Sequence, residues 1–232
     1  IREVDIPAGY QSYSENTDDH TAIYNTTTSV EISKTDLTGT TEIPGAKLRI
    51  VDPELTEEEE GYVVEKEWTS TEEPHKVTTM LKAGKEYELQ ETSAPNGYLL
   101  AQPQRFTVNA DGTTTKVVMK DAPTKVVISK TDTEGKELKG AKFQIVDPSV
   151  EETSKDYVVE EWESIGAPHT IEGKLTAEKT YRLIEVQAPS GFTPAEPVEF
   201  KITVLGKVLV NDKEVDAETI VVKNSKNQLE FA

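Results

Sequence analysis

Three side-chain types recur in one fixed order along this chain, and together they can make an amide bond. A lysine ends "VEISK" (Lys34) and "VVISK" (Lys130). A glutamate ends "YELQE" (Glu91) and "YRLIE" (Glu185), and an aspartate or asparagine ends "VVMKD" (Asp121) and "IVVKN" (Asn224). Side chains alternate between the faces of a strand, so residues of equal parity share a face. Val30, Ile32 and Lys34 are in step, as are Tyr87, Leu89 and Glu91, and Val117, Met119 and Asp121. The second copy repeats this with Val126, Ile128 and Lys130, with Tyr181, Leu183 and Glu185, and with Ile220, Val222 and Asn224. Each repeat is therefore predicted to aim one Lys, one Glu and one Asp or Asn inward, from its first, penultimate and final strands.

An isolated buried ion is costly, so these groups need one another. One reading is a buried hydrogen-bonded cluster; another is a set of strand ends where parity no longer implies burial. The exchange of Asp for Asn at the third position favours chemistry over a salt bridge. The amide would forfeit much of the ionic attraction, yet both side chains offer a carbonyl carbon. Burial favours a neutral amine and a protonated acid. The amine can then attack the Asp or Asn carbonyl while the glutamic acid hydrogen-bonds its oxygen and relays protons to the departing water or ammonia. Proximity replaces any cofactor or metal. Each domain would react once, on itself, which is maturation and not enzymatic turnover.

The elements that must position these groups are strands. The aliphatic residues are largely Val and Ile and threonine is abundant, a bias toward sheet. Short alternating runs are separated by turn clusters such as "APNG" (94–97), with no sustained helical period, so an all-β sandwich is expected. The chain repeats itself: "VEISKTDLTG" and "VVISKTDTEG", "GAKLRIVDP" and "GAKFQIVDP", then "ETSAPNGY" and "EVQAPSGF". The expected domains are 28–123 and 124–227. Residues 1–27 read as the tail of a preceding copy, because "EVDIPAGY" (3–10) repeats the Glu…Pro-x-Gly-aromatic motif. Residues 228–232, "QLEFA", read as the first strand of a following one, so the sequence looks like a window on a longer tandem array.

A net charge of −18 argues against nucleic-acid binding and against adsorption to anionic lipid. There is no cysteine, hence no disulfide, thiolate metal site or cysteine nucleophile. No apolar run is long enough to span a bilayer, and nothing resembles a signal peptide. His75 and His169 stand in equivalent "PH" positions after Trp68 and Trp162 and read as packing or turn residues; His20 reads as a surface residue. The acidic run "ELTEEEEGY" (54–62) lacks the ligand spacing and central glycine of a calcium loop and reads as a solvated insertion. "NADG" (109–112) reads as a hairpin turn.

The ordered set "ISKTD", "GAK", "PH", "E-x-x-AP-x-G-[YF]" and a last strand ending in Asp or Asn resembles the Cna-B/SpaA-type domains of Gram-positive adhesins and pilins. The resemblance implies an inverse-immunoglobulin-like β-sandwich in which Glu assists an intramolecular Lys–Asn or Lys–Asp isopeptide bond. By position, Lys34 would bond Asp121 with Glu91 assisting, and Lys130 would bond Asn224 with Glu185 assisting. Glu3 and Asn25 would be the acid and acceptor of the preceding domain. The implied role is the stalk of a cell-wall-anchored extracellular adhesin or pilus-like protein, whose partners are the neighbouring domains of its own chain. The alternative is a module that itself binds a host protein or glycan.

Overall fold

The computed structural model describes residues 6–227. These fall into two compact units, the first formed by residues up to Pro95 with Leu100–Ala122, the second by Asn96–Leu99 with Pro123 onward. A hairpin comes first, β1 (Tyr10–Asn16) against β2 (Thr21–Thr27). The rest of the first unit comprises β3 (Ser29–Asp36), β4 (Lys47–Val51), β5 (Val63–Thr69), β6 (His75–Thr78), β7 (Glu86–Ser93), β8 (Gln104–Thr107) and β9 (Thr115–Asp121). They form two sheets, ordered β6-β3-β9 and β5-β4-β7-β8.

The second unit repeats this plan. Its strands are β10 (Lys125–Asp132), β11 (Lys139–Val146), β12 (Val158–Ile165), β13 (His169–Glu172), β14 (Thr180–Gln187), β15 (Val198–Ile202), β16 (Val208–Val210), β17 (Lys213–Glu214) and β18 (Thr219–Asn224). One sheet runs β13-β10-β18 and the other β12-β11-β14-β15-β16-β17. The added β16–β17 hairpin turns at Asn211 and Asp212, both at positive φ, which these residue types tolerate.

The cores follow from alternation. Strand β9 alternates buried and exposed residues along its whole length, with Thr115, Val117, Met119 and Asp121 inward. Val30, Ile32, Leu48, Ile50, Leu89 and Val117 meet between the two sheets of the first unit. Val126, Ile128, Phe143, Ile145, Leu183 and Val222 do so in the second. The first and last strands of each sandwich are adjacent and parallel, a pairing that local hairpins cannot make.

Two sequence expectations are corrected. The glutamate strand is not penultimate: β8 in the first unit, and β15 to β17 in the second, lie between it and the last strand. The "QRFT" run of β8 follows Pro103 and is short, but it pairs along β7 as the edge of that sheet. "NADG" is not a hairpin either. Strand β8 belongs to one sheet and β9 to the other, so residues 109–112 carry the chain across the sandwich. The Asp111 carboxylate accepts the Thr113 N–H at 3.0 Å there, giving the turn its own local bond.

Candidate functional site

The site of the first unit is assembled from three strands and both sheets. Lys34 continues the inward row of β3 and is 1% exposed. In the parallel pairing Lys34 lies opposite Met119, so Asp121 is two residues further along β9 on the same face. A lysine stem spans that diagonal offset. Glu91 comes from the facing sheet, as the last inward residue of β7 after Tyr87 and Leu89. The lysine amine contacts the Asp121 carboxylate directly, and Glu91 Oε1 is 3.1 Å from Nζ. The other Glu91 oxygen accepts the Ala101 backbone N–H at 2.6 Å.

The second unit repeats the arrangement with an amide. Lys130 lies opposite Val222, and Asn224 is two residues further on. Glu185 Oε1 is 3.4 Å from Lys130 Nζ and accepts a hydrogen bond from Asn224 Nδ2 at 2.8 Å. Its second oxygen accepts the Ala195 N–H at 2.7 Å. Lys130 Nζ also donates to the Val222 carbonyl at 3.3 Å. All six side chains are buried.

Burial sets the electrostatics. The Asp121 carboxyl is pushed up to about 7, chiefly by burial; the Lys34 ammonium opposes the shift and the Glu91 charge adds to it. Burial likewise holds Lys130 below the ordinary lysine value, against the pull of Glu185. A second Lys–Asp pair in each unit provides the contrast. Lys85 donates to Asp52 at 2.5 Å, and Lys179 contacts Asp147, with the lysines partly open to solvent. There the hydrogen bond to Asp52 raises Lys85; burial would raise Asp52, but the Lys85 bond, the Glu54 N–H and the Lys85 charge together outweigh it and the net shift is downward. Those pairs are stable ions. Lys130 and Asp121 are shifted the opposite way, toward the neutral forms that amide formation requires.

The glutamate lies between the amine and the acceptor side chain. In the second unit one carboxylate oxygen meets both the lysine amine and the asparagine amide nitrogen. A carboxylate so placed can take a proton from an amine and pass it to an amide nitrogen. The sequence reading put the acid at the carbonyl oxygen. In this geometry it meets the amide nitrogen, and Asn224 Oδ1 is buried without a partner among the described residues.

Other singled-out residues fall elsewhere. Asn25 is exposed on β2 and lies opposite Ser12. Glu3 and residues 228–232 lie outside the described residues. His75 stacks on Trp68 at 4.2 Å between ring centroids, and His169 on Trp162 at 4.5 Å. Each stack joins the two sheets of its unit, with the imidazole on one and the indole on the other. His20 sits exposed in the β1–β2 turn, where its ring meets Thr17 Oγ1 at 3.1 Å. The acidic run joins β4 to β5, and Glu57, Glu59 and Glu54 bond to Arg49, Thr56 and Lys85. Among the described residues no group of three or more His, Cys, Asp or Glu is arranged to hold a metal ion. The backbone donors of Ala101 and Ala195 were missed from sequence. Their signal was an alanine ten positions after each glutamate, in "GYLLA" and "GFTPA".

A comparison with curated protein sequences found no match. Among solved structures, the Bacillus anthracis TIE protein is 18% identical with a TM-score of 0.44; the match covers 94% of this chain and 41% of that one. The pilus adhesin SpaC of Lactobacillus rhamnosus GG, in an open conformation, is 16% identical with a TM-score of 0.44, covering 97% of this chain and 35% of that one. The shaft pilin SpaA of the same organism is 14% identical with a TM-score of 0.36, covering 88% and 99%. The chain thus spans less than half the length of the first two. The family described as "SpaA: Prealbumin-like fold domain" matches residues 28–123 and again residues 124–216. The chain belongs to this SpaA prealbumin-like, Cna-B/SpaA-type family, and carries its domain twice.

Proposed function

We propose that each domain crosslinks itself through an isopeptide bond, Lys34 to Asp121 and Lys130 to Asn224, with Glu91 and Glu185 as proton-transfer groups. We assign the domains to the stalk of a pilus-like or adhesive protein on the cell surface. The observation that supports this best is the recurrence of one buried Lys–Glu–acceptor cluster in both units, with Asp and Asn interchanged. Nitrogen lone-pair attack forms the C–N bond. At Asp121 the C–O bond then breaks, and the hydroxyl leaves as water with a proton from the amine. At Asn224 the C–N bond to the amide nitrogen breaks, and ammonia leaves.

The crosslink suits a load-bearing part. It joins the first strand of each sandwich to the last, so tension entering at one and leaving at the other passes through a covalent tie. The two strands lie parallel and adjacent, which places both attachment points in one sheet. With no cysteine in the chain, the amide does what a disulfide does elsewhere.

Intact mass after full denaturation tests the reading. The expected mass is that of the sequence less one water and one ammonia. A mass equal to that of the sequence would remove the crosslink and leave a SpaA-type fold with two buried ion clusters.

A further inference from the structure

The N–H and C=O of Lys34 itself bond to a loop, although the strand around it pairs with β9. Strand β3 pairs with β9 from Val30 to Asp36, but with β6 only from Ser29 to Ile32. From Ser33 onward the β6 side of β3 has no neighbouring strand. The N–H and C=O of one residue in a strand point the same way, and those of Lys34 both point to this vacated side. Residues 42 and 43 satisfy both. Lys34 N–H donates to Glu42 Oε2 at 3.0 Å, and Ile43 N–H donates to the Lys34 carbonyl at 2.7 Å. A backbone bridge between Thr35 and Glu42 completes the clamp.

The second unit uses the same residue type differently. Leu138 N–H donates to the Lys130 carbonyl at 2.7 Å, and Thr131 bridges to Glu137. The Glu137 carboxylate, however, takes the Ser129 hydroxyl at 2.5 Å. The loop of the first unit is one residue longer, "TDLTGTTEI" against "TDTEGKEL", and its carboxylate reaches the lysine's own N–H. Beside it lies a cavity of about 260 Å³, whose lining includes Lys34, Glu42, Trp68 and His75. Without the carboxylate, the Lys34 N–H would lose its partner beside this space.

We propose that Glu42 is a positioning residue for the Lys34–Asp121 bond. It fixes the backbone from which the lysine side chain projects and so keeps Nζ at the Asp121 carboxyl. It touches neither reacting atom. The inference rests on the crosslink reading, and it adds a residue which that reading does not require. Attack geometry is steep in position: a displacement of ~1 Å can cost ~10²-fold in rate.

The test follows water and ammonia loss separately in the full chain, synthesised in a cell-free system and quenched into denaturant at intervals. Glu42→Ala should slow water loss on the order of 10- to 100-fold and leave ammonia loss at the wild-type rate. Glu42→Gln should restore water loss, since its amide oxygen still accepts the N–H; a merely electrostatic role would not be rescued. Glu42→Asp keeps the charge but falls one methylene short, and should be slow in a chain shown to be folded by circular dichroism. Wild-type water loss in folded Glu42→Ala or Glu42→Asp would overturn the role of Glu42 alone. Absence of both losses in the wild type would overturn the crosslink itself, a distinguishable failure.

Discussion

Glu91→Gln is the most informative single change, because it removes the proton shuttle and little else. The glutamine oxygen can still accept the Ala101 N–H that positions this side chain at 2.6 Å. Lys34 and Asp121 remain in contact as a balanced pair, so no lone charge is stranded in the core. The equivalent change at Glu185 would leave Lys130 facing a neutral amide, at an added cost of about 3–5 kcal/mol. The loss in Glu91→Gln is therefore nearly all crosslink. The bond would close a loop of 87 residues between Lys34 and Asp121. Treated as a disulfide-like restriction of the unfolded chain, such a loop contributes about 4.6 kcal/mol at 25 °C. With an unfolding entropy of about 2.1 cal/mol/K per residue over roughly 95 residues, the first domain should melt about 20 °C lower. Calorimetry on the whole chain should show one transition moving and one staying, and the denatured mass should rise by one water. An unchanged mass would refute the role of Glu91. A mass raised by one water without a shift in melting would refute the loop-entropy argument.

Two further predictions use the asymmetry between the units. Asp121→Asn should exchange the water loss for an ammonia loss, giving two ammonias in the denatured mass; unchanged stoichiometry would contradict the assigned acceptor. The two reactions should also respond differently to pH. Attack on Asp121 needs its acid form and a neutral amine, a pair with the same proton count as the ion pair, so water loss should fall below the carboxyl's titration near 7 and stay level above it. Asn224 does not titrate, whereas Lys130 is held below the ordinary lysine value, so ammonia loss should rise with pH and level off early. Parallel profiles, measured from initial rates in freshly synthesised chain, would sink this assignment.

Much of the site was legible because strand parity is a rigid rule. Lys34, Glu91 and Asp121 each extend an apolar row by one step, and the repeat showed the same three positions twice. What parity could not give was which strands become neighbours. "QRFT" carries too short a pattern to announce an edge strand, so β7 was misplaced in the strand order. "NADG" has the composition of a hairpin turn, and only the assignment of β8 and β9 to opposite sheets shows that it crosses between them. The supporting groups were harder still. Ala101 and Ala195 act through backbone N–H groups, to which side-chain chemistry gives no clue. Glu42 appeared as one more acid in a chain with 43 Asp and Glu residues, and its role depends on β6 ending early.

The contrast between the two kinds of Lys–Asp contact in each unit explains why the fold matters more than the residue pair. Lys85 and Asp52 touch as closely as a reacting pair would need, yet solvent reaches the lysine and their mutual hydrogen bond and charges favour the ionised forms. An ammonium has no lone pair to donate, and a carboxylate is a poor electrophile, so proximity alone produces a salt bridge. In the core of the first sandwich Lys34 and Asp121 are each only 1% exposed, and a second carboxylate disfavours ionisation of the first. Burial strips the hydration that favours the ionic form, and Glu91 lies 3.1 Å from the amine. In the second unit the acceptor is neutral from the outset, and burial shifts the lysine toward its neutral form. On the proposed reaction, the repeat can carry Asp or Asn at the end of its last strand because the buried environment, and not the acceptor's charge, would set up the attack.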